Sequence, residues 1–406
     1  MSIKALFFVE GISYGHIVRA FIISQWLRKL DINPLIVCPE NYGSLFKKHC
    51  FEIENLTITP PGEIYQRLRQ GDSMYLSENL LNYFAEDDSL IQKIKPDLII
   101  SEFRFTALQL AKKYQIPAVG ITEATCHPAF INNLGTVPDS LAKPEFIPLW
   151  LLDFIALKTP IGKIINQKTI QTISQPYQQA STTYGVEILA NFFEYASQGD
   201  ICLISDHPDL IPLNHLRSGD IYTGALLWER DEALPTELSQ LNPHQKIVYI
   251  SLGTQDSLAT DFLTAYLNKL LAQDIQVILS LGKRNLTISS QPNLWVFDFI
   301  NDSKLLPLVD LLVYPGGAMT TYQAIAKGVP LLALPSHANQ HFYAEAIAQQ
   351  KLGYCLRPSR LKIDQLVAKT VSLLNIPRQP LREFQAKLSE FNHQEEILQK
   401  IEKLIR

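Results

Sequence analysis

Residues 311–357 read LLVYPGGAMTTYQAIAKGVPLLALPSHANQHFYAEAIAQQKLGYCLR. The apolar run that opens this stretch predicts a buried strand ending at Tyr314. Pro315-Gly316-Gly317 forces a sharp turn, and Ala318 to Lys327 then makes a helix that stops at Gly328. Paired glycines before a helix allow close backbone approach, while the helix N-terminus offers free N–H groups and the positive end of its dipole. That combination suits an anion, typically a phosphate, with Thr320 and Thr321 as further hydroxyl donors. An ordinary strand-turn-helix connection has the same outline, so the stretch alone leaves both readings open.

Working outward, the second half repeats this grammar. Lys246 to Ser251 reads as a strand, Leu252-Gly-Thr254 as a tight loop, and Leu258 to Leu271 as a helix. Gln276 to Ser280, Leu294 to Phe299 and Leu331 to Leu334 supply further strands. The first half begins alike: strand Ala5 to Val9, a loop holding Gly11 and Gly15, a helix from His16 to Leu30 and strand Pro34 to Cys38. Asp97 to Ile100 and Ile116 to Ile121 are strands flanking a helix from Thr106 to Tyr114. Apolar strands alternating with helices predict parallel sheets covered on both faces. The stretch from Asp209 to Pro243, rich in Pro, Asn and acidic residues, is the expected connection between two domains. Pro380 to Arg406 alternates apolar and charged positions and is expected to be amphipathic helix.

A chain of 406 residues exceeds what one core usually organises, and its 47% hydrophobic and 19% charged content fills two. A formal net charge of -4 gives no footprint for nucleic acid. The five cysteines show neither a disulfide framework nor a zinc spacing, which fits a reducing cytosol. The N-terminal apolar run is too short for a secretion signal, and no uncharged stretch is long enough to span a bilayer.

The 311–357 stretch resembles the donor-binding segment of nucleotide-sugar glycosyltransferases of the GT-B architecture, especially the macrolide- and small-molecule-modifying group. Their pattern runs His-Gly-Gly-x-Gly-Thr-x-x-Glu-Ala, then Gly-Val-Pro, a Pro, and Asp-Gln before an Asn-Ala helix. Gly316, Gly317, Thr320, Ala324, Gly328, Val329, Pro330, Pro335 and Gln340 stand in register with it. Gly15-His16 and Ser251-Leu252-Gly253-Thr254 also match, so the resemblance covers nearly the whole chain. It implies an α/β fold of two Rossmann-like domains whose parallel sheets face across a cleft, with a C-terminal helix crossing back. The corresponding boundaries are 1–225 for the acceptor-binding domain, 226–244 for the linker, 245–379 for the nucleotide-sugar-binding domain and 380–406 for the returning helix. The departures cluster in one place: Pro315 for the usual His, Met319 for Gly, Gln323 for Glu and Asn339 for Asp.

The resemblance further implies an inverting, metal-independent hexosyltransferase acting in natural-product biosynthesis. Its donor is expected to be a UDP- or dTDP-sugar, with no other cofactor. Ser251, Thr254, Phe299, Ile300, Gly316, Gly317, Ala318, Thr320, Gln323, Asn339 and Gln340 are the expected donor contacts. His16, in the loop between first strand and first helix, is the expected base for the acceptor hydroxyl, since imidazole titrates near neutrality. The orienting acid implied is Glu102, one methylene longer than the usual aspartate; Arg104 could claim it instead, and Glu10 is the alternative. No Asp-x-Asp occurs. His337 and His341 stand four apart, but the glutamate that a zinc protease carries after its first histidine is missing, so a metal is not expected.

The acceptor is expected to be a small hydrophobic molecule bearing a hydroxyl. Phe146 to Leu157, with Trp150 and Phe154 at helical spacing, reads equally as an acceptor-cleft lining, a peripheral membrane contact or a plain core helix. His127, after Glu123, is expected to face the cleft. Two other readings stay open: a binding or regulatory partner that kept the fold and lost transfer, and a nucleotide-sugar epimerase.

Overall fold

The computed structural model describes residues 3–130, 135–142, 146–253, 259–282, 284, 286–289 and 291–406. Two all-parallel sheets form its frame. The first holds β1 (Ala5–Val9), β2 (Leu35–Cys38), β3 (Ile53–Asn55), β4 (Leu98–Glu102), β5 (Ala118–Thr122), β6 (Ile201–Ile204) and β7 (Asp220–Tyr222), in the order β3-β2-β1-β4-β5-β6-β7. The second holds β8 (Ile247–Ser251), β9 (Gln276–Ser280), β10 (Leu294–Phe297), β11 (Leu311–Tyr314), β12 (Leu331–Ala333) and β13 (Gly353–Cys355), ordered β10-β9-β8-β11-β12-β13. β1, β4 and β5 are buried at every position, which is why they read as continuous apolar runs without alternation.

In both sheets the chain winds outward from the first strand, then returns to its other side. The reversal falls between β1 and β4 in one sheet and between β8 and β11 in the other. Ligands of such sheets bind outside the carboxyl ends of the strands at these reversal points. Register pairs Val9 with Glu102 and Val313 with Ile250, so the loops leaving each strand pair emerge side by side.

Eight helices matter below: α1 (Tyr14–Leu27), α2 (Phe105–Tyr114), α3 (Leu149–Lys158), α4 (Pro160–Tyr184), α5 (Ala318–Ala326), α6 (Ala338–Gln349), α7 (Gln379–Glu390) and α8 (Gln394–Ile405). α1 buries residues around much of its circumference, including Ile17, Val18, Ala20, Phe21, Ile23 and Leu27. α2 covers the first sheet, its Ala107, Leu108, Leu110 and Ala111 joining the core around Leu6, Phe8 and Ile99.

The chain forms two compact units: Met1–Asn132, Thr159–Leu226 and Phe391–Arg406 in one, Asn133–Lys158 and Leu227–Glu390 in the other. This division differs from the sequence boundaries in three respects. Residues 133–158 group with the second unit, because Asp153 is gripped by Arg357 at 2.8 and 2.9 Å and Thr136 bonds Glu345 and His341. Residues 227–244 are no free linker, since the Asn301 side-chain amide donates to the carbonyls of Arg230 and Glu232. β7 also falls inside the stretch read as a connection; three residues at a sheet edge leave too faint a pattern to read.

The C-terminal segment is two helices where one was expected. α7 stays with the second unit, where Gln385 donates to the Ala326 carbonyl at 2.6 Å. The break follows from Asn392, whose side chain accepts from the Gln394 N–H at 3.1 Å and so competes with a continuing helix. α8 then packs in the first unit against α1, burying Ile397, Leu398 and Ile401.

Candidate active site

The reversal point of the first sheet brings His16 and Glu102 together. His16 Nδ1 lies 2.8 Å from Glu102 Oε1, and the carboxylate, the last residue of β4, is fully buried. Arg19, one turn along α1, donates to the same oxygen from Nη2 at 2.6 Å and Nε at 3.0 Å, and from Nη1 to Glu123 at 2.7 Å. Arg19 Nη2 also stands 3.1 Å from His16 Nδ1. Both approaches to Nδ1 cannot be hydrogen bonds. The carboxylate is acceptor-only and closer, so the proton sits on Nδ1 and the guanidinium contact is crowding. Nε2 is then left with its lone pair.

Arg19 is thus held between the Glu102 and Glu123 carboxylates, beside the imidazole. Phe103 packs edge-on against the imidazole, centroids 5.1 Å apart, and its backbone takes φ +64°. A non-glycine residue in that region is strained, and here the strain turns the chain immediately after Glu102. Glu102 Oε2 is buried with no hydrogen-bond partner among the described residues.

The alternatives resolve in the same geometry. Glu10 turns away from His16, accepting from Tyr75 Oη at 2.8 Å and Arg104 Nη1 at 3.0 Å. Burial pushes its carboxyl up to about 7 against the pull of Arg104. Arg104 is wholly engaged with Glu10, Asp87 and Glu86 and leaves Glu102 to Arg19 and His16. His127 does not face open space: it is 1% exposed, Nε2 meets Asp220 at 3.0 Å and Nδ1 accepts from the Ala129 N–H. It ties a loop to β7.

The reversal point of the second sheet carries the glycine turn. Gly316 has φ +96°, and a Cβ there would stand 2.8 Å from the Gln340 carbonyl oxygen, so backbone freedom and space both require glycine. Gly253, two residues past β8, has φ +63° and lies against Pro315, where a Cβ would meet the ring at 3.3 Å. Gly317 caps α5 with no side-chain bond, leaving the N–H groups of Ala318, Met319 and Thr320 without helical carbonyl partners. Thr321 is spent internally on the Gly317 carbonyl and Tyr314 hydroxyl, whereas Thr320 is partly exposed. Gln323 Oε1 is buried without a partner among the described residues, as fits an acceptor awaiting a hydroxyl.

Gln340 Oε1 is already taken by the Ser336 N–H and hydroxyl at 2.9 and 3.0 Å, holding the turn before α6. Asn339 beside it is partly exposed, as is Ser251. Phe299 is 45% exposed, whereas Ile300 is buried. Thr254 lies outside the described residues.

Known proteins resemble this chain over most of its length. Residues 264–404 match the family of Erythromycin biosynthesis protein CIII-like C-terminal domains. A PGL/p-HBAD biosynthesis glycosyltransferase of Mycobacterium tuberculosis is 25% identical over 373 residues, spanning 92% of this chain and 85% of the relative. A PGL/p-HBAD biosynthesis rhamnosyltransferase of Mycobacterium bovis is 25% identical over 387 residues, 95% of this chain and 84% of its own. Among solved structures, the spinosyn rhamnosyltransferase SpnG complexed with thymidine diphosphate superposes with a TM-score of 0.67 at 13% identity, covering 98% of this chain and 100% of that one. The chain is a GT-B glycosyltransferase, similar to the macrolide-modifying group.

Two members of the glycosyltransferase's first cluster escaped the sequence: Arg19 and Glu123. Arg19 stands three residues after His16 on the same helix face, and that spacing was the available signal. The second unit also holds a group the histidine spacing did not suggest. His341, Glu345 and Cys355 bring potential metal-ligand atoms within 4.8 Å of one another, and His337 is not among them. Thr136 occupies this group, its hydroxyl 3.0 Å from His341 Nε2 and 2.5 Å from Glu345 Oε1, so the residues serve as a tie for the 135–142 loop.

Proposed function

We propose that this glycosyltransferase moves a sugar from a UDP- or dTDP-sugar to a hydroxyl of a small hydrophobic acceptor, with inversion and without a metal. The observation that carries the reading is the His16–Glu102 contact at 2.8 Å, backed by Arg19, at a sheet-reversal point. With the Nδ1 proton held by Glu102, Nε2 takes the proton of the acceptor hydroxyl as its oxygen attacks the anomeric carbon. The C–O bond to the diphosphate breaks on the opposite face. In the second unit, the free N–H groups at Ala318, Met319 and Thr320 neutralise charge as it builds on the departing diphosphate. Helix and hydroxyl donors supply what a metal supplies elsewhere, which is the argument for metal independence. The five free cysteines fit a cytosolic protein.

The thymidine diphosphate in the spinosyn enzyme and the rhamnosyl name of a relative support the donor class. Calorimetric titration with UDP, dTDP and their sugar conjugates tests it: one nucleotide binds, and the product of transfer carries the opposite anomeric configuration. Retained configuration sinks the direct displacement. Binding by none of them favours the second reading, a catalytically degenerate partner, which the substitutions at Pro315, Met319, Gln323 and Asn339 motivate. Gln323→Ala is expected to weaken nucleotide binding about 3- to 10-fold, the worth of one neutral hydrogen bond. Unchanged affinity would show that the ribose is held elsewhere.

A further inference from the structure

Two side chains of opposite character crowd one ring nitrogen of His16. Glu102 Oε1 lies 2.8 Å from Nδ1, and Arg19 Nη2 lies 3.1 Å from it. A carboxylate only accepts hydrogen bonds, so it holds a proton on Nδ1. A guanidinium only donates them, so it is satisfied by a lone pair there. Neutral imidazole carries a single ring proton, and whichever neighbour has Nδ1 fixes the state of Nε2. With Glu102 in possession, Nε2 keeps its lone pair and can take a proton. With Arg19 in possession, Nε2 already carries one and cannot.

Arg19 has a second hold that does not depend on Glu102. Its side chain is 7% exposed, and Nη1 donates to Glu123 Oε1 at 2.7 Å. Glu102 Oε1 takes the remaining edge of the fork, accepting from Nη2 at 2.6 Å and from Nε at 3.0 Å. All four residues belong to one compact unit. If the Glu102 oxygen were removed, Glu123 would still anchor the guanidinium in place. Two buried N–H groups would then lack an acceptor, a state that folded proteins avoid. His16 Nδ1, already 3.1 Å from Nη2, is the acceptor at hand.

We infer that Arg19 is a positioning residue with two opposed effects on His16. By donating to Glu102 it keeps that carboxylate turned to Nδ1. Once the carboxylate is gone, it captures Nδ1 itself and moves the ring proton to Nε2. Loss of Glu102 therefore does more than remove an acceptor, because it leaves an arginine that imposes the unreactive tautomer. Glu123 is the anchor that holds the arginine there. The inference rests on His16 acting as the base, but the tautomer itself is read with neither donor nor acceptor present.

The test is nitrogen-15 NMR of the full chain labelled at histidine, in mildly alkaline buffer, with the His16 signals assigned by their loss in His16→Gln. The parent is expected to show a protonated Nδ1 and a bare Nε2. Glu102→Ala is expected to show the reverse, and Glu102→Ala/Arg19→Met a mixture of the two. Turnover, read as UDP or dTDP released from the matching sugar conjugate, follows with a change of sign. Arg19→Met lowers it about tenfold in the parent, yet raises it at least about threefold in Glu102→Ala. Arg19→Lys loses less than Arg19→Met in the parent, since an ammonium keeps the charge without the fork. A parent with its proton on Nε2 overturns the inference, and that reading needs no variant to fold. So does Glu102→Ala with the parent's tautomer, or Arg19→Met lowering turnover in both backgrounds. The expected tautomers with no matching change in turnover would uphold the competition at Nδ1 and remove the imidazole from the reaction.

Discussion

His16→Ala is expected to cut turnover by roughly 10²- to 10⁴-fold while nucleotide affinity stays within error of the parent. The asymmetry follows from where the residue sits. The imidazole belongs to the first unit, 9% exposed at the mouth of β1 and β4, whereas the glycine turn and free N–H groups belong to the second. Removing it takes away proton transfer and leaves the proposed phosphate contacts untouched. Single-turnover rates and nucleotide titration on the same preparation check both halves. Turnover near the parent's would remove the imidazole from the reaction.

Glu102→Gln is expected to damage both activity and stability. Oε1 of the carboxylate accepts from Arg19 twice and from His16 once, all in a buried site. An amide keeps the shape but loses the charge, and Arg19 is left with Glu123 alone. Breaking a buried ion pair from one side costs about 3 kcal/mol, which for a unit of this size lowers the melting temperature by about 10 °C. Turnover should fall by at least ~10²-fold, because an amide no longer fixes the Nδ1 proton or balances an imidazolium. Glu102→Asp separates the two roles: the charge for Arg19 survives, and the melting temperature should largely recover. An unchanged melting temperature in the Gln variant would mean that Glu123 alone suffices for Arg19.

The frame was legible because buried parallel strands announce themselves as apolar runs. Ala5–Val9, Gln276–Ser280 and Leu311–Tyr314 fall within a residue of the sequence reading. Three edge strands were not, since β3, β7 and β13 have three residues each and little periodicity to detect. In the site, the resemblance put His16 beside Glu102, and the structure brings them into contact. Arg19 stayed hidden because an arginine in an amphipathic helix ordinarily lies on the solvent face. Only the tertiary fold places two carboxylates, 83 and 104 residues away, around its guanidinium. Glu10 was the reverse case, near His16 in sequence and turned toward Tyr75 and Arg104 in space. The exposed aromatics of α3 were ambiguous for a similar reason, as helical spacing identifies a face without saying what covers it.

The return of residues 391–406 to the first unit carries a consequence for biosynthesis. Ile397 and Ile401 are buried there against the first helix, and Phe391 packs on the His207 ring with centroids 4.7 Å apart. These residues leave the ribosome only after all of the second unit has been made. The first unit therefore waits, with part of its apolar surface uncovered, through the translation of more than 160 residues between Leu227 and Glu390. A nascent chain stalled anywhere in that interval presents chaperones with an unfinished domain, although every strand of its sheet has already been synthesised.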